Sequence, residues 1–254
     1  HYVVAEAIAA GVKHIVIVGH SQKGAIENYF DINSELDNQL RHKGKDELAD
    51  SLNWLPDDVS VSMIRQGKAL GLGHAVLAAR PIVGDNDFAV LLPDVVLDPF
   101  NTDLHNDNLA FMLNAFAKDS HSQILVEQVA DTDVHKYGIA KLSDDSANNT
   151  DLSSKINASF RVAGFVEKPS LSEAPSRLAV VGRYVFSNKI FDYLANTTAS
   201  VGGEIQLTDA IDALISEYGV NVTTMRGDSY DAGDMRSYMQ AFIYFAQQQL
   251  AADE

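Results

Sequence analysis

Asp94 stands at the end of the run Phe88-Ala89-Val90-Leu91-Leu92-Pro93. Five apolar residues between the turn-like Gly84-Asp85-Asn86-Asp87 and Pro93 predict a strand buried on both faces, at the centre of a sheet. In open α/β sheets the ligand crevice lies outside the carboxyl ends of the strands, and an aspartate there commonly holds a divalent metal against phosphate oxygens. A strand-end turn or a helix N-cap explains Asp94 equally well. Asp231 follows Ser229-Tyr230 after another β-rich run, so two carboxylates are available to share one metal at a phosphoryl centre. Taken singly, a turn aspartate is the commoner reading of Asp231.

Gln66, in Arg65-Gln66-Gly67, carries a donor and an acceptor on one amide, the pairing that reads a nucleobase edge. Gly71-Leu72-Gly73 precedes a helical stretch and can bring backbone amides and a helix N-terminus close to a ligand, or simply turn the chain. The dinucleotide fingerprint is excluded, because its sixth position is Val76. Glu167-Lys168-Pro169 sets a sugar-hydroxyl acceptor beside a phosphate-binding cation, or forms a surface charge pair. The histidines show no metal-ligand spacing, and neither a nucleophile elbow nor a Walker A loop is present.

These residues need a scaffold of alternating elements. Residues 2–10 read as a helix stopped by Gly11, residues 13–18 as a strand, and the stretch to Phe30 as a helix capped by Ser21. A helix–strand–helix opening implies a parallel sheet with right-handed crossovers. The polar residues 32–58, with scattered leucines, read as a helical insertion on one domain spanning 1–254. Strands are predicted near 59–63, 123–128, 159–166, 178–186 and 220–225, and helices near 75–79, 109–118, 188–195, 208–218 and 235–250. Residues 137–186 form a β subregion, with 143–154 as a hairpin tip. On the last helix Tyr238, Phe242 and Phe245 make a core or subunit-contact stripe.

At 254 residues, with 46% hydrophobic and 21% charged residues, the chain has the composition of a soluble globular protein. A formal net charge of −16 argues against nucleic acid or an anionic membrane as partner. Without cysteine there is no disulfide, thiolate catalysis or Cys-ligated zinc, which fits a cytoplasmic location.

Six stretches, in order, carry a family resemblance. They are Arg65-Gln66-Gly67-Lys68-Ala69-Leu70-Gly71-Leu72-Gly73-His74-Ala75, Leu92-Pro93-Asp94-Val95-Val96-Leu97-Asp98 and Val166-Glu167-Lys168-Pro169. Val181-Gly182-Arg183-Tyr184-Val185, Gly203-Glu204-Ile205-Gln206-Leu207-Thr208-Asp209-Ala210 and Tyr230-Asp231-Ala232-Gly233 complete the series. Together they resemble the bacterial UTP–glucose-1-phosphate uridylyltransferases. The resemblance implies a Rossmann-like nucleotidyltransferase fold, with a mixed, mostly parallel central sheet flanked by helices. It implies an enzyme that joins UTP and glucose 1-phosphate into UDP-glucose with Mg2+, as a homo-oligomer. Gln66 and Gly71 would read the uracil, and Asp94 and Asp231 would hold the metal. Gly138, Glu167, Lys168, Gly182 and Glu204 would line the sugar and phosphate site, with Lys168 and Asp94 closest to the chemistry.

The family opens with a strand and a glycine-rich loop bearing an Arg and a Lys, whereas this sequence starts with the helix after them. With Lys168 the one cation placed at the site, these residues alone are expected to be nearly inactive and to leave a central strand slot empty. Three rivals stay open: a catalytically weak regulatory paralogue that binds sugar nucleotide, a transferase for dTTP or another sugar 1-phosphate, and a metal-dependent glycosyltransferase. The last would want Asp-x-Asp, which Asp94-Val95-Val96 does not supply.

Overall fold

The computed structural model describes residues 1–144, 152, 154–199 and 203–252. Helix α1 (Tyr2–Ala9) ends before Gly11, whose φ of +95° suits glycine. Strand β1 (His14–Gly19), α2 (Gly24–Phe30), α3 (Ser34–His42), α4 (Asp46–Leu52) and β2 (Ser60–Arg65) follow. Then come α5 (Leu72–Ala78), the single turn α6 (Arg80–Val83), β3 (Phe88–Leu91), β4 (Val95–Leu97), α7 (Leu109–Asp119) and β5 (Ser122–Gln128). The second half supplies β6 (Gly138–Leu142), β7 (Ser159–Glu167), β8 (Leu178–Phe186), α8 (Ile190–Asn196), α9 (Leu207–Glu217), β9 (Val220–Thr224), β10 (Ser229–Asp231) and α10 (Met235–Ala252).

The main sheet runs β3-β8-β5-β9-β7-β6. Strand β5 is paired on both edges, and its Ile124, Leu125 and Val126 are fully buried. Alternation along the strand separates two core layers. Ile124 and Val126 pack with Phe191 and Leu194 of α8 and Ile211 and Leu214 of α9, while Leu125 packs with Ala7 of α1 and Leu109 and Met112 of α7. A mixed α/β fold with a helix-flanked sheet is therefore present, as expected.

The balance of strand directions differs from the expectation. Antiparallel pairs predominate among the described residues, and the parallel ones are β1–β2 and β5–β9. Strands β6, β7 and β8 follow one another with no described helix between them, and a parallel neighbour needs a crossover. The strand expected at the centre is β3, and it pairs with β8 alone. Its four residues are half-buried.

Smaller corrections follow from local chemistry. Helix α2 begins at Gly24 after Lys23, with no side-chain cap, so Ser21 is not its cap. Residues 34–52 form α3 and α4, tied by Arg41 to Asp37 at 3.1 Å and Asp50 at 2.9 Å, with Leu36, Leu48 and Leu52 exposed. Of the aromatic stripe on α10 only Phe245 turns inward, against Tyr2, Phe100 and Tyr230, whereas Tyr238 and Phe242 are exposed. Most of the expected hairpin tip, residues 145–151 and 153, lies outside the described residues. Among the described residues no helix is long and apolar enough to cross a membrane.

Candidate active site

Two three-residue strands that the sequence reading missed, β4 and β10, bring the two carboxylates together. They pair antiparallel with Asp231 opposite Val95, and the Ala232 N–H donates to the Asp94 carbonyl oxygen at 2.6 Å. Asp231 is half-buried, and its Oδ1 accepts the Gly233 N–H at 2.7 Å. A Cβ on Gly233 would stand 2.9 Å from that oxygen, so a glycine leaves this carboxylate its room. Among the described residues no three His, Asp or Glu side chains group around a metal position. Two hard carboxylates that leave the other positions to phosphate oxygens and water are a donor set that suits Mg2+.

The opposite wall comes from β6, β7 and β8. Register places Gly138 against Glu167, and a Cβ on Gly138 would lie 3.1 Å from Glu167 Oε2. Lys168 has a left-handed φ of +46°, held by its N–H donating to the Tyr137 carbonyl at 3.0 Å. Such backbone strain in a non-glycine residue clusters at functional sites. Its Nζ lies 4.0 Å from Glu167 Oε1. Gly182 sits where the β5–β8 register shifts, with a φ of +74°, and a Cβ there would be 3.0 Å from the Leu92 side chain. The irregularity presses β8 against the strand end that carries Asp94.

Gln66 and Gly71 lie beside this cleft. The Gln66 amide nitrogen donates to the Gly71 carbonyl at 3.2 Å and contacts His74 Nδ1 at 2.9 Å. Both amide hydrogens are thereby used, with His74 Nδ1 accepting, and Oε1 is the group left to present. Gly71 has a φ of +91°, and a Cβ on it would come 2.8 Å from the Ile205 carbonyl. Reciprocal backbone bonds, Ile205 N–H to Leu70 O at 2.8 Å and Gly73 N–H to Ile205 O at 2.9 Å, dock the Glu204–Ile205 segment on this loop.

The cleft has a volume of about 380 Å³. Asp94, Gly138, Glu167, Lys168, Gly182 and Asp231 line it together. Gln66, Gly71 and Glu204 are not in its lining, which reaches their neighbours Leu72 and Gln206.

A family model described as nucleotidyl transferase matches residues 1–248. The chain is 47% identical to the UTP–glucose-1-phosphate uridylyltransferase of Haemophilus influenzae over 245 residues, 96% of this chain and 81% of that protein. This chain belongs to the UTP–glucose-1-phosphate uridylyltransferase family. Its fold is similar to that of the UTP-bound UGPase from Acinetobacter baumannii, with a TM-score of 0.85 and 40% identity, covering 96% of this chain and 80% of that one. It is also similar to a UDP-glucose pyrophosphorylase solved in complex with UDP-glucose, with a TM-score of 0.78 and 28% identity, covering 97% and 86% of the two chains.

In this uridylyltransferase-family cleft, further lining residues escaped the sequence reading. Lys136 is a second cation, its Nζ 2.5 Å from Asp133, so Lys168 is not the cleft's one positive charge. Glu127 also lines the cleft, where burial pushes its carboxyl up, partly opposed by the Ser229 hydroxyl donating to it. Burial, reinforced by Glu167 and Asp94, likewise pushes the Tyr184 phenol up. The signal for Glu127 was available, since it follows Gln123-Ile124-Leu125-Val126 at a strand end, as Asp94 follows its own run.

Proposed function

We propose that the cleft binds UTP and glucose 1-phosphate and joins them into UDP-glucose, releasing pyrophosphate. The observation that carries this reading is the convergence of Asp94 and Asp231 on one side of a cleft whose other side holds Glu167 and Lys168. A sugar-phosphate oxygen attacks the α-phosphorus of UTP. The bond from the α-phosphorus to the bridging oxygen breaks, and pyrophosphate leaves with the electron pair. No covalent intermediate on the protein is needed, and positioning with charge neutralisation supplies the catalysis.

Each residue has a role in this scheme. Gln66 presents Oε1 to the N3–H of uracil, because its amide hydrogens are already engaged. Gly71 lets the base approach the backbone. Glu167 accepts sugar hydroxyls beside Gly138, and Lys168 sets its ammonium against the sugar phosphate. Gly182 keeps the wall below Leu92 free of a side chain, and Glu204 borders the loop beneath the base. Asp94 and Asp231 hold Mg2+, which when bound neutralises developing charge on the phosphate oxygens. The exposed apolar face of α10 supports a homo-oligomer.

The test is pyrophosphate release by the full-length protein with UTP, glucose 1-phosphate and Mg2+. We expect turnover that EDTA abolishes and that falls about a hundredfold or more in Asp94→Asn. Tight UDP-glucose binding without any pyrophosphate release would instead favour a regulatory subunit.

A further inference from the structure

Arg183 heads the largest fully buried side chains of the described residues, and it lies outside the set of residues assigned to substrate or metal. A guanidinium has five N–H donors, and here every one is placed. Nε and Nη2 donate to the Glu6 carboxylate at 3.1 and 2.9 Å. Nη1 donates to the carbonyls of Leu92 at 3.1 Å and Gly182 at 3.4 Å, and Nη2 also reaches the Val95 carbonyl at 2.8 Å.

Leu92 and Val95 bracket Pro93-Asp94. The fork therefore grips both ends of the segment that carries Asp94. Val95 is also the residue that faces Asp231 across the β4–β10 pair, and the Asp94 carbonyl accepts from Ala232. One buried cation thus fixes the backbone on which the two carboxylates meet. Stability alone is a poor explanation for it, since a buried ion pair often gains nothing over apolar residues of equal volume. What a planar fork does supply is geometry at several acceptors at once.

We propose that Arg183, charge-balanced by Glu6, is a positioning residue that sets Asp94 against Asp231 for binding the metal at the phosphoryl-transfer centre. The proposal rests on the reading that those two aspartates hold the metal. Arg183→Lys is the informative change, because an ammonium can keep Glu6 company but cannot reach the Leu92 and Val95 carbonyls together.

The experiment measures Mn2+ binding to the UTP-loaded full-length protein by electron paramagnetic resonance, alongside kcat, KM for UTP and the melting temperature. In Arg183→Lys we expect Mn2+ affinity and kcat each to fall about ten- to a hundredfold, as for other residues that orient metal ligands. KM for UTP should stay within about twofold, because the base-reading loop is untouched. Wild-type Mn2+ affinity in a folded Arg183→Lys protein overturns the proposal. So does a loss of kcat that follows the melting temperature while Mn2+ affinity stays unchanged. Asp94→Asn, measured in parallel, separates the two layers: if it binds Mn2+ like the wild type, the metal reading itself fails. Should Arg183→Lys not fold, Glu6→Gln decides, with a severalfold weaker Mn2+ affinity expected and an unchanged one overturning the role of the pair.

Discussion

Single side chains in this molecule are prepared for their partners by their neighbours. Gln66 is the clearest case. A free glutamine amide can present either end, but the Gly71 carbonyl and His74 Nδ1 take its nitrogen. The group left over is an acceptor, which is what the proposed reading of the uracil N3–H requires. His74→Ala removes one of these restraints and lets the amide turn. A lost hydrogen bond of this kind corresponds to about a three- to tenfold rise in KM for UTP, with kcat little changed. Initial rates at varied UTP concentration check this, and an unchanged KM would show that His74 does not orient Gln66. Gln66 and Gly71 stood out in the sequence as candidates, and the family resemblance gave them their proposed role. Why the amide points one way was not legible there, since His74 is eight residues away and meets Gln66 only once Gly71 turns the chain.

At the scale of elements, short strands hold the edge that carries Asp94 and Asp231. Strand β10 has three residues, too few to persist alone, and it is held by β4 and by Glu127, whose two carboxylate oxygens each lie 3.0 Å from Ser229 Oγ. Burial raises the Glu127 carboxyl above its ordinary range. The folded protein then keeps this proton where the unfolded chain has released it. Stability consequently falls as pH rises from the ordinary glutamate value, about 4.3, through the raised folded value. Glu127→Gln keeps an acceptor for Ser229 and removes the charge. Its melting temperature in metal-free buffer should exceed that of the wild type at neutral pH, with the gap closing below about pH 4. Scanning calorimetry across pH tests this, and a gap independent of pH would contradict it. Strands β4 and β10 escaped the sequence reading because their stability comes from each other, and three-residue runs have no periodicity to detect.

The whole molecule carries a formal net charge of −16, which disfavours close approach of two copies. Against it stands the outer face of α10, where Met235, Tyr238, Met239, Phe242 and Ile243 are all more than half exposed. A contiguous apolar stripe of this kind marks an interaction surface. We expect the protein to self-associate through this face, more strongly as salt screens the net charge. Sedimentation velocity at low and high salt reads this directly, and Phe242→Glu should shift the distribution toward monomer. A wild-type protein that stays monomeric at both salt concentrations would remove α10 as the association surface.

By itself, the sequence determined which residue types stand where chemistry could be done. Carboxylates at strand ends, an amide ahead of a glycine pair and a Glu-Lys step are local patterns, set by residue type and by the punctuation of Gly and Pro. Most helices and strands were likewise legible, since apolar periodicity is a local record of which face is buried. Tertiary structure alone decided that β5 is paired on both edges, by β8 and β9, since no local pattern names a strand's neighbours. It decided that most strand pairs among the described residues run antiparallel, a property of connections and not of any strand's composition. It also brought Arg183 and Glu6 together beneath Asp94, across 177 positions of sequence, where only the folded backbone could place them.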